Sequence, residues 1–244
     1  MLIIVAQDYD EMSRKAARFI AAQVLLKPNC LLGLATGSTP FGTYQELIRF
    51  HQEDGLSFQN VRTVNVDEYY GLPASHEQSY RHFMQENLFD QIDIQPGNTH
   101  IPDGLTRDPQ TYGEEYDELI VAMGGIDLQL LGIGSNGHIA FNEPGRYFSA
   151  QTRLVDLNKL TIEDNARFFE SEDEVPRQAI SMGMKSILGS KRILILASGA
   201  GKAEAVREML EGPIDPMVPA SILQLHPNVT LIADKDALSL VQPA

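Results

Sequence analysis

The chain carries one cysteine, far fewer basic than acidic residues, and no apolar run long enough to cross a bilayer. A single cysteine excludes an intrachain disulfide, and Cys30 lies in an apolar, strand-like run, as expected of a small core residue in a reducing compartment. The 19 Lys and Arg against 33 Asp and Glu leave a net charge of −14, with the acids spread along the chain. That distribution argues against a nucleic-acid surface and against an anionic membrane, and it means that an anionic ligand needs its own basic pocket. Metal-ligand patterns are equally scarce. The second histidine of the pair His76 and His82 comes six residues on, off the helical spacing of a zinc site, so no metal is expected. The opening MLIIVAQDYDEM turns acidic too soon for a signal peptide, and no repeat or low-complexity segment occurs. A soluble, cytoplasmic protein is expected.

What is present is a chain of 244 residues with 43% hydrophobic content, enough for one large domain over residues 1–244. Short apolar runs at 2–6, 30–35, 61–66, 126–133, 193–197 and 229–233 read as strands. Between them, 11–26, 42–53, 79–89, 110–123 and 202–211 read as helices. In the first helix Phe19, Ile20, Val24 and Leu25 are read as the apolar side, opposite Arg14, Ala17, Arg18 and Ala21. Strands alternating with helices predict an α/β fold with a mostly parallel sheet. Residues 161–176, rich in acids and weakly periodic, read either as a mobile helical lid or as a solvated surface helix.

The run LLGIGSNGHIAFNEPG is an apolar strand that stops at glycines and then presents His138 and Glu143. Such loops at the carboxyl edge of a parallel sheet are where α/β enzymes place catalytic groups. His138 suits proton relay between oxygens, with Glu143 or Asn136 fixing its tautomer. The loop after the strand 61–66 holds Asp67 and Glu68. A carboxylate in a partly desolvated cleft can remove a proton from carbon beside a carbonyl, whereas paired acids after a strand are commonly helix caps or solvated turns. Two further loops suit a phosphate. Thr36, Gly37, Ser38 and Thr39 combine close backbone approach, hydroxyls and a helix start, although an ordinary capped helix with Pro40 at its first position reads the same way. Residues 198–202, SGAGK, place Lys202 at a helix start but lack the glycine spacing and the following Ser or Thr of a nucleotide-triphosphate loop.

Taken together, LGLATGSTPFGTY, VNVDEYYGL, GIGSNGHIAFNEPG, NARFF and ISMGMKSIL resemble the glucosamine-6-phosphate deaminase family. The likeness keeps the same order and runs from about Leu2 to Asp234. It implies a Rossmann-like three-layer sandwich with a helical lid, acting on a small sugar phosphate without organic cofactor or metal. The implied reaction is glucosamine 6-phosphate plus water to fructose 6-phosphate and ammonia. By the same resemblance Asp67 is the base moving a proton from C2 to C1, and His138 opens the sugar ring with Glu143 and Asn136 beside it. Thr36, Gly37, Ser38, Thr39, Arg167 and Lys202 are implied to hold the phosphate. Two positions depart from the allosteric members: Asn136 stands for an aspartate, and Val155 for a lysine that, with Arg153, binds N-acetylglucosamine 6-phosphate between subunits. A lower apparent pKa for ring opening is therefore expected, and monomer and homo-oligomer both stay open. The alternatives are a 6-phosphogluconolactonase-like hydrolase, which would lack the FNEPG continuation, and a sugar-phosphate sensor, which would need an attached DNA-binding helix pair.

Overall fold

The structure, a computed structural model, describes residues 1–242, the side chain of Glu172 excepted; the last two residues of the expected 1–244 unit lie outside it. Along the chain run β1 (Leu2–Ala6), α1 (Tyr9–Leu26), β2 (Leu31–Leu34), α2 (Ser38–Asp54), β3 (Arg62–Asn65), β4 (Asp67–Tyr69), α3 (Tyr80–Asn87), β5 (Thr99–His100) and α4 (Pro109–Ala122). There follow β6 (Leu128–Gly132), β7 (Arg153–Asp156), α5 (Lys159–Ala166), β8 (Gln178–Ser181), α6 (Met184–Leu188), β9 (Ile193–Ala197), α7 (Ala203–Glu211) and β10 (Val229–Asp234).

Seven strands form one parallel sheet in the order β1-β10-β9-β6-β2-β3-β5. Its central strands are apolar at nearly every position because both faces are covered, as parallel sheets require. Alternate residues serve opposite cores. Leu194 and Leu196 pack with Ile20 and Leu47 of α1 and α2, whereas Ile193 and Ile195 pack with Ile120 of α4 and Val206 of α7. The result is the expected Rossmann-like three-layer sandwich. Burying each such side chain is worth roughly 1.5–3 kcal/mol, so a polar substitution at Ile195 would break the second core.

The helix starts differ from the sequence reading because caps decide them. Asp8 accepts the Glu11 N–H, so α1 begins before residue 11. Its buried stripe is Met12, Ala16, Ala17, Ile20 and Val24, while Leu25, read as apolar-side, is exposed. Helix α2 begins at Ser38, so Pro40 is its third residue and not its first.

A second, antiparallel sheet of β4, β8 and β7 was not foreseen. Its strands are only three or four residues long, too short for a period to show. Over it lies a third apolar cluster of Tyr69, Phe141, Val155, Leu157, Ile162, Val175 and Ala179. Ile162 and Val175 belong to the segment 161–176, which is therefore anchored to the molecule and is not a freely solvated helix. Only its first part is α-helical, as the end of α5.

Candidate active site

Four loops at the carboxyl edge of the parallel sheet surround one cleft of about 910 Å³. They follow β2, β3, β6 and β9, and α5 closes the cleft from above. Thr36, Gly37, Ser38, Thr39, Asp67, His138, Arg167 and Lys202 all line it. Asn136 and Glu143 do not reach the cleft; they stand behind His138, so the ten expected site residues converge on one place.

The His138 end of the site is ordered by one hydrogen-bond chain. Asn136 Nδ2 donates to Glu143 Oε2 at 2.9 Å, which leaves Asn136 Oδ1 as the acceptor facing His138. That oxygen takes the His138 backbone N–H at 3.1 Å and lies 2.8 Å from His138 Nδ1. An amide oxygen can only accept, so Nδ1 is the donor in this contact, and Nε2 is left without a hydrogen-bond partner among the described residues. Glu143 Oε2 is 3.5 Å from Nδ1, and Thr161 of α5 donates its hydroxyl to Glu143 Oε1. Burial works to raise the Glu143 carboxyl, but its contacts with His138, Thr161 and Asn136 outweigh it and hold the group below the usual range. The imidazole fits because residue 134 is glycine: a Cβ there would fall 2.3 Å from His138 Cε1.

Asp67 is buried in β4, and no hydrogen bond reaches its carboxylate among the described residues. Burial first, and the neighbouring Glu68 charge second, push its carboxyl well above the ordinary range. A carboxylate so placed is a stronger base than one in water. An aromatic wall stands beside it: Tyr69 packs against Tyr80, Phe141 and Phe169 with ring centroids 4.7, 5.8 and 5.8 Å away.

The opposite end is cationic. Gly37, at φ 98°, turns the chain into the first turn of α2, whose free N–H groups carry partial positive charge. Arg167 reaches across from the end of α5 and donates to Ser38 Oγ at 3.2 Å. Lys202 is held below the ordinary lysine range by burial and by Arg167, with Asp164 pulling the other way. Its loop is pinned by Asp234, which accepts from Ser198 Oγ and from Gly199 N–H at 2.9 Å. Together these groups suit a dianionic phosphate.

The sequence reading missed Thr161, Asp234, Gly134 and the aromatic wall. Tyr69, Gly134, Phe141 and Phe169 lie inside the quoted motifs DEYYGL, GIGSNGHIAFNEPG and NARFF but were given no role; Thr161, Tyr80 and Asp234 matter through partners that the fold supplies. Among the described residues no group of three His, Cys, Asp or Glu is placed to hold a metal ion, and no helix is long and apolar enough to cross a membrane.

Comparison with known proteins agrees with this geometry. Residues 7–232 match the family described as glucosamine-6-phosphate isomerases/6-phosphogluconolactonase. A glucosamine-6-phosphate deaminase of Halothermothrix orenii is 53% identical over 241 residues, covering 99% of this chain and 100% of the relative. One of Clostridioides difficile is 52% identical over 243 residues, covering 100% and 98%. A solved structure of a monomeric glucosamine-6-phosphate deaminase superposes with a TM-score of 0.96 at 50% identity, covering 98% of this chain and 100% of that one. A 6-phosphogluconolactonase from Thermotoga maritima shares the fold alone, with a TM-score of 0.75 at 22% identity over 96% of this chain and 99% of that one. The chain belongs to the family of glucosamine-6-phosphate isomerases and 6-phosphogluconolactonases.

Proposed function

We propose that this cleft converts glucosamine 6-phosphate and water into fructose 6-phosphate and ammonia, as a step of amino-sugar catabolism. The observation that carries this reading is the burial of Asp67, unpaired, in the same cleft as Nε2 of His138. The names of relatives above half identity support it.

In the proposed sequence the phosphate docks on the first turn of α2, Arg167 and Lys202. His138 Nε2 takes the proton of the anomeric hydroxyl and returns it to the ring oxygen, which opens the ring to the aldehyde. Asp67 removes the C2 proton and delivers it to C1, while the aldehyde oxygen takes up a proton released by the substrate's amine, so the aldehyde becomes a hydroxymethyl group and C2 becomes an imine. Water adds to C2, the nitrogen leaves as ammonia, and the ketone remains. One carboxylate near both carbons serves both transfers because binding has already fixed their positions.

We also propose that the chain works as a monomer without response to N-acetylglucosamine 6-phosphate. Val155, where the resemblance expects a lysine, packs in the third apolar cluster, and the Arg153 guanidinium donates to Asn142 Oδ1 at 3.1 Å, so the expected Arg–Lys pair is not formed there, although Arg146 lines the same pocket as Arg153. The description of the solved relative as monomeric supports this.

The test is turnover of glucosamine 6-phosphate with both products quantified. Equimolar fructose 6-phosphate and ammonia is the expected result. Absence of ammonia, with hydrolysis of 6-phosphogluconolactone instead, would overturn the reading in favour of the lactonase. A single species of about 27 kDa in light scattering, with or without the acetylated sugar phosphate, checks the monomer.

A further inference from the structure

Helix α5 makes three polar contacts across the cleft. Near its start Thr161 donates to Glu143 Oε1; in its last turn Asp164 accepts from Ser135 Oγ at 3.0 Å; at its C-cap Arg167 donates to Ser38 Oγ at 3.2 Å. One short helix thus joins the phosphate end of the site to the His138 end. Six residues separate Thr161 from Arg167, about 9 Å at 1.5 Å per residue.

The two oxygens of Glu143 are divided between the helix and the histidine. Oε1 belongs to Thr161, and Oε2 accepts from Asn136 and faces His138 Nδ1. A carboxylate fixed at both oxygens cannot rotate. Its Oε2 then holds the Asn136 amide one way round, and the amide oxygen holds the proton on Nδ1. Thr161 is buried, and it adjoins Ile162, the residue that anchors α5 in the third cluster.

We propose that Thr161 is a positioning residue: through Glu143 and Asn136 it makes the tautomer and aim of His138 depend on α5 being seated. Ring opening would then be competent only while α5 is seated as it is here, with Arg167 on Ser38 and the Thr161 hydroxyl on Glu143. This rests on the deaminase reading and adds to it an internal link between the seating of α5 and proton transfer.

The test compares Thr161→Val, which keeps the shape and removes the hydroxyl, with Thr161→Ser, which keeps the hydroxyl. Turnover of glucosamine 6-phosphate is measured together with binding of its acyclic alditol analogue, which has no ring to open. Thr161→Val should lower kcat about 10-fold or more, the scale of a lost hydrogen bond to a charged group, with KM changed less than about twofold. Thr161→Ser should restore kcat, and alditol binding should be the same in all three proteins. Wild-type kcat in Thr161→Val would overturn the proposal. So would equal impairment of both variants, or parallel loss of alditol binding, since either means that Thr161 acts by packing alone. Failure of the wild-type chain to release ammonia would instead overturn the deaminase reading, so the two failures are distinguishable.

Discussion

Asp67 and Glu68 are neighbours on β4 and do opposite work. The Glu68 carboxylate accepts backbone N–H bonds from Tyr69, Tyr80 and Arg81 at 2.9, 2.8 and 2.9 Å, and so closes the start of α3. Asp67 accepts none among the described residues and faces the cleft. Successive residues of a strand point to opposite sides, so a single step in sequence separates a carboxylate that caps a helix from one that faces the cleft. The capping one also lends its charge, the second cause of the raised Asp67 carboxyl after burial.

Replacing Asp67 by Asn should abolish ammonia release while raising stability at neutral pH. A carboxyl held above its unfolded value binds its proton more tightly in the folded state. Its favourable share is fully present below about 3.9 and is lost as pH rises through the folded value. Ionised Asp67 therefore weighs against folding near pH 7. The variant should melt several degrees above wild type at pH 7.5, with the gap closing toward pH 4. Equal melting temperatures across that range would refute the strained carboxylate, and residual turnover would remove Asp67 from its role as base.

Gly134→Ala tests the seat of the imidazole. The added methyl would fall 2.3 Å from both Cε1 and Nδ1 of His138, so the ring must swing away and leave Asn136 Oδ1. General acid–base catalysis contributes roughly 10²–10⁴-fold, and kcat should fall by about 10²-fold. Melting temperature should change little, because the ring can yield toward the open cleft. Wild-type kcat in this variant would mean that the relay does not depend on this ring position.

The parallel sheet and its loops were legible because strands such as β6 and β9 are largely apolar and run into glycine-bearing loops, a pattern that buried parallel strands impose. The positions of His138, Lys202 and the 36–39 loop follow from that. The antiparallel sheet was not legible, since β4 has three residues and its pairing with β8 joins residues more than a hundred positions apart. Local chemistry does not tell Asp67 from Glu68, and only the family resemblance singled out Asp67; which one caps a helix is settled only when α3 folds back on β4. Thr161 is one polar residue in a polar stretch until the fold brings it to Glu143.

Inorganic phosphate should stabilise the chain through its cationic end. Lys202 is held low by burial and by Arg167, and an anion between them relieves both penalties. A ligand that binds only the folded state adds about 2.7 kcal/mol at a hundredfold excess over its Kd. Wild type should therefore gain several degrees in saturating phosphate. Lys202→Met, which keeps the aliphatic stem and removes the charge, should lose most of that gain and raise KM for the sugar phosphate more than it lowers kcat. An equal phosphate response in both proteins would place the anion elsewhere.

Asn136→Asp addresses the relay itself. In wild type the Asn136 amide separates two functions: its oxygen faces Nδ1 of His138 and its nitrogen donates to Glu143 at 2.9 Å. An aspartate puts a carboxylate oxygen where that nitrogen was, against Glu143. Two carboxylates at that distance cannot both ionise freely, so one of the pair takes up a proton at higher pH than either would alone. The surplus negative charge behind Nδ1 favours the imidazolium, and a protonated ring cannot accept the anomeric proton. The acid limb of kcat/KM against pH should therefore move upward, by about one unit for one added opposite charge at contact distance. The carboxyl raised by its twin contributes stability that is lost as pH rises, so the variant should melt progressively below wild type between about pH 5 and pH 8. An acid limb that stays in place would mean that charge behind Nδ1 does not control ring opening. A shifted limb with an unchanged pH dependence of melting would mean that the introduced carboxylate has turned away from Glu143 and acts on His138 alone.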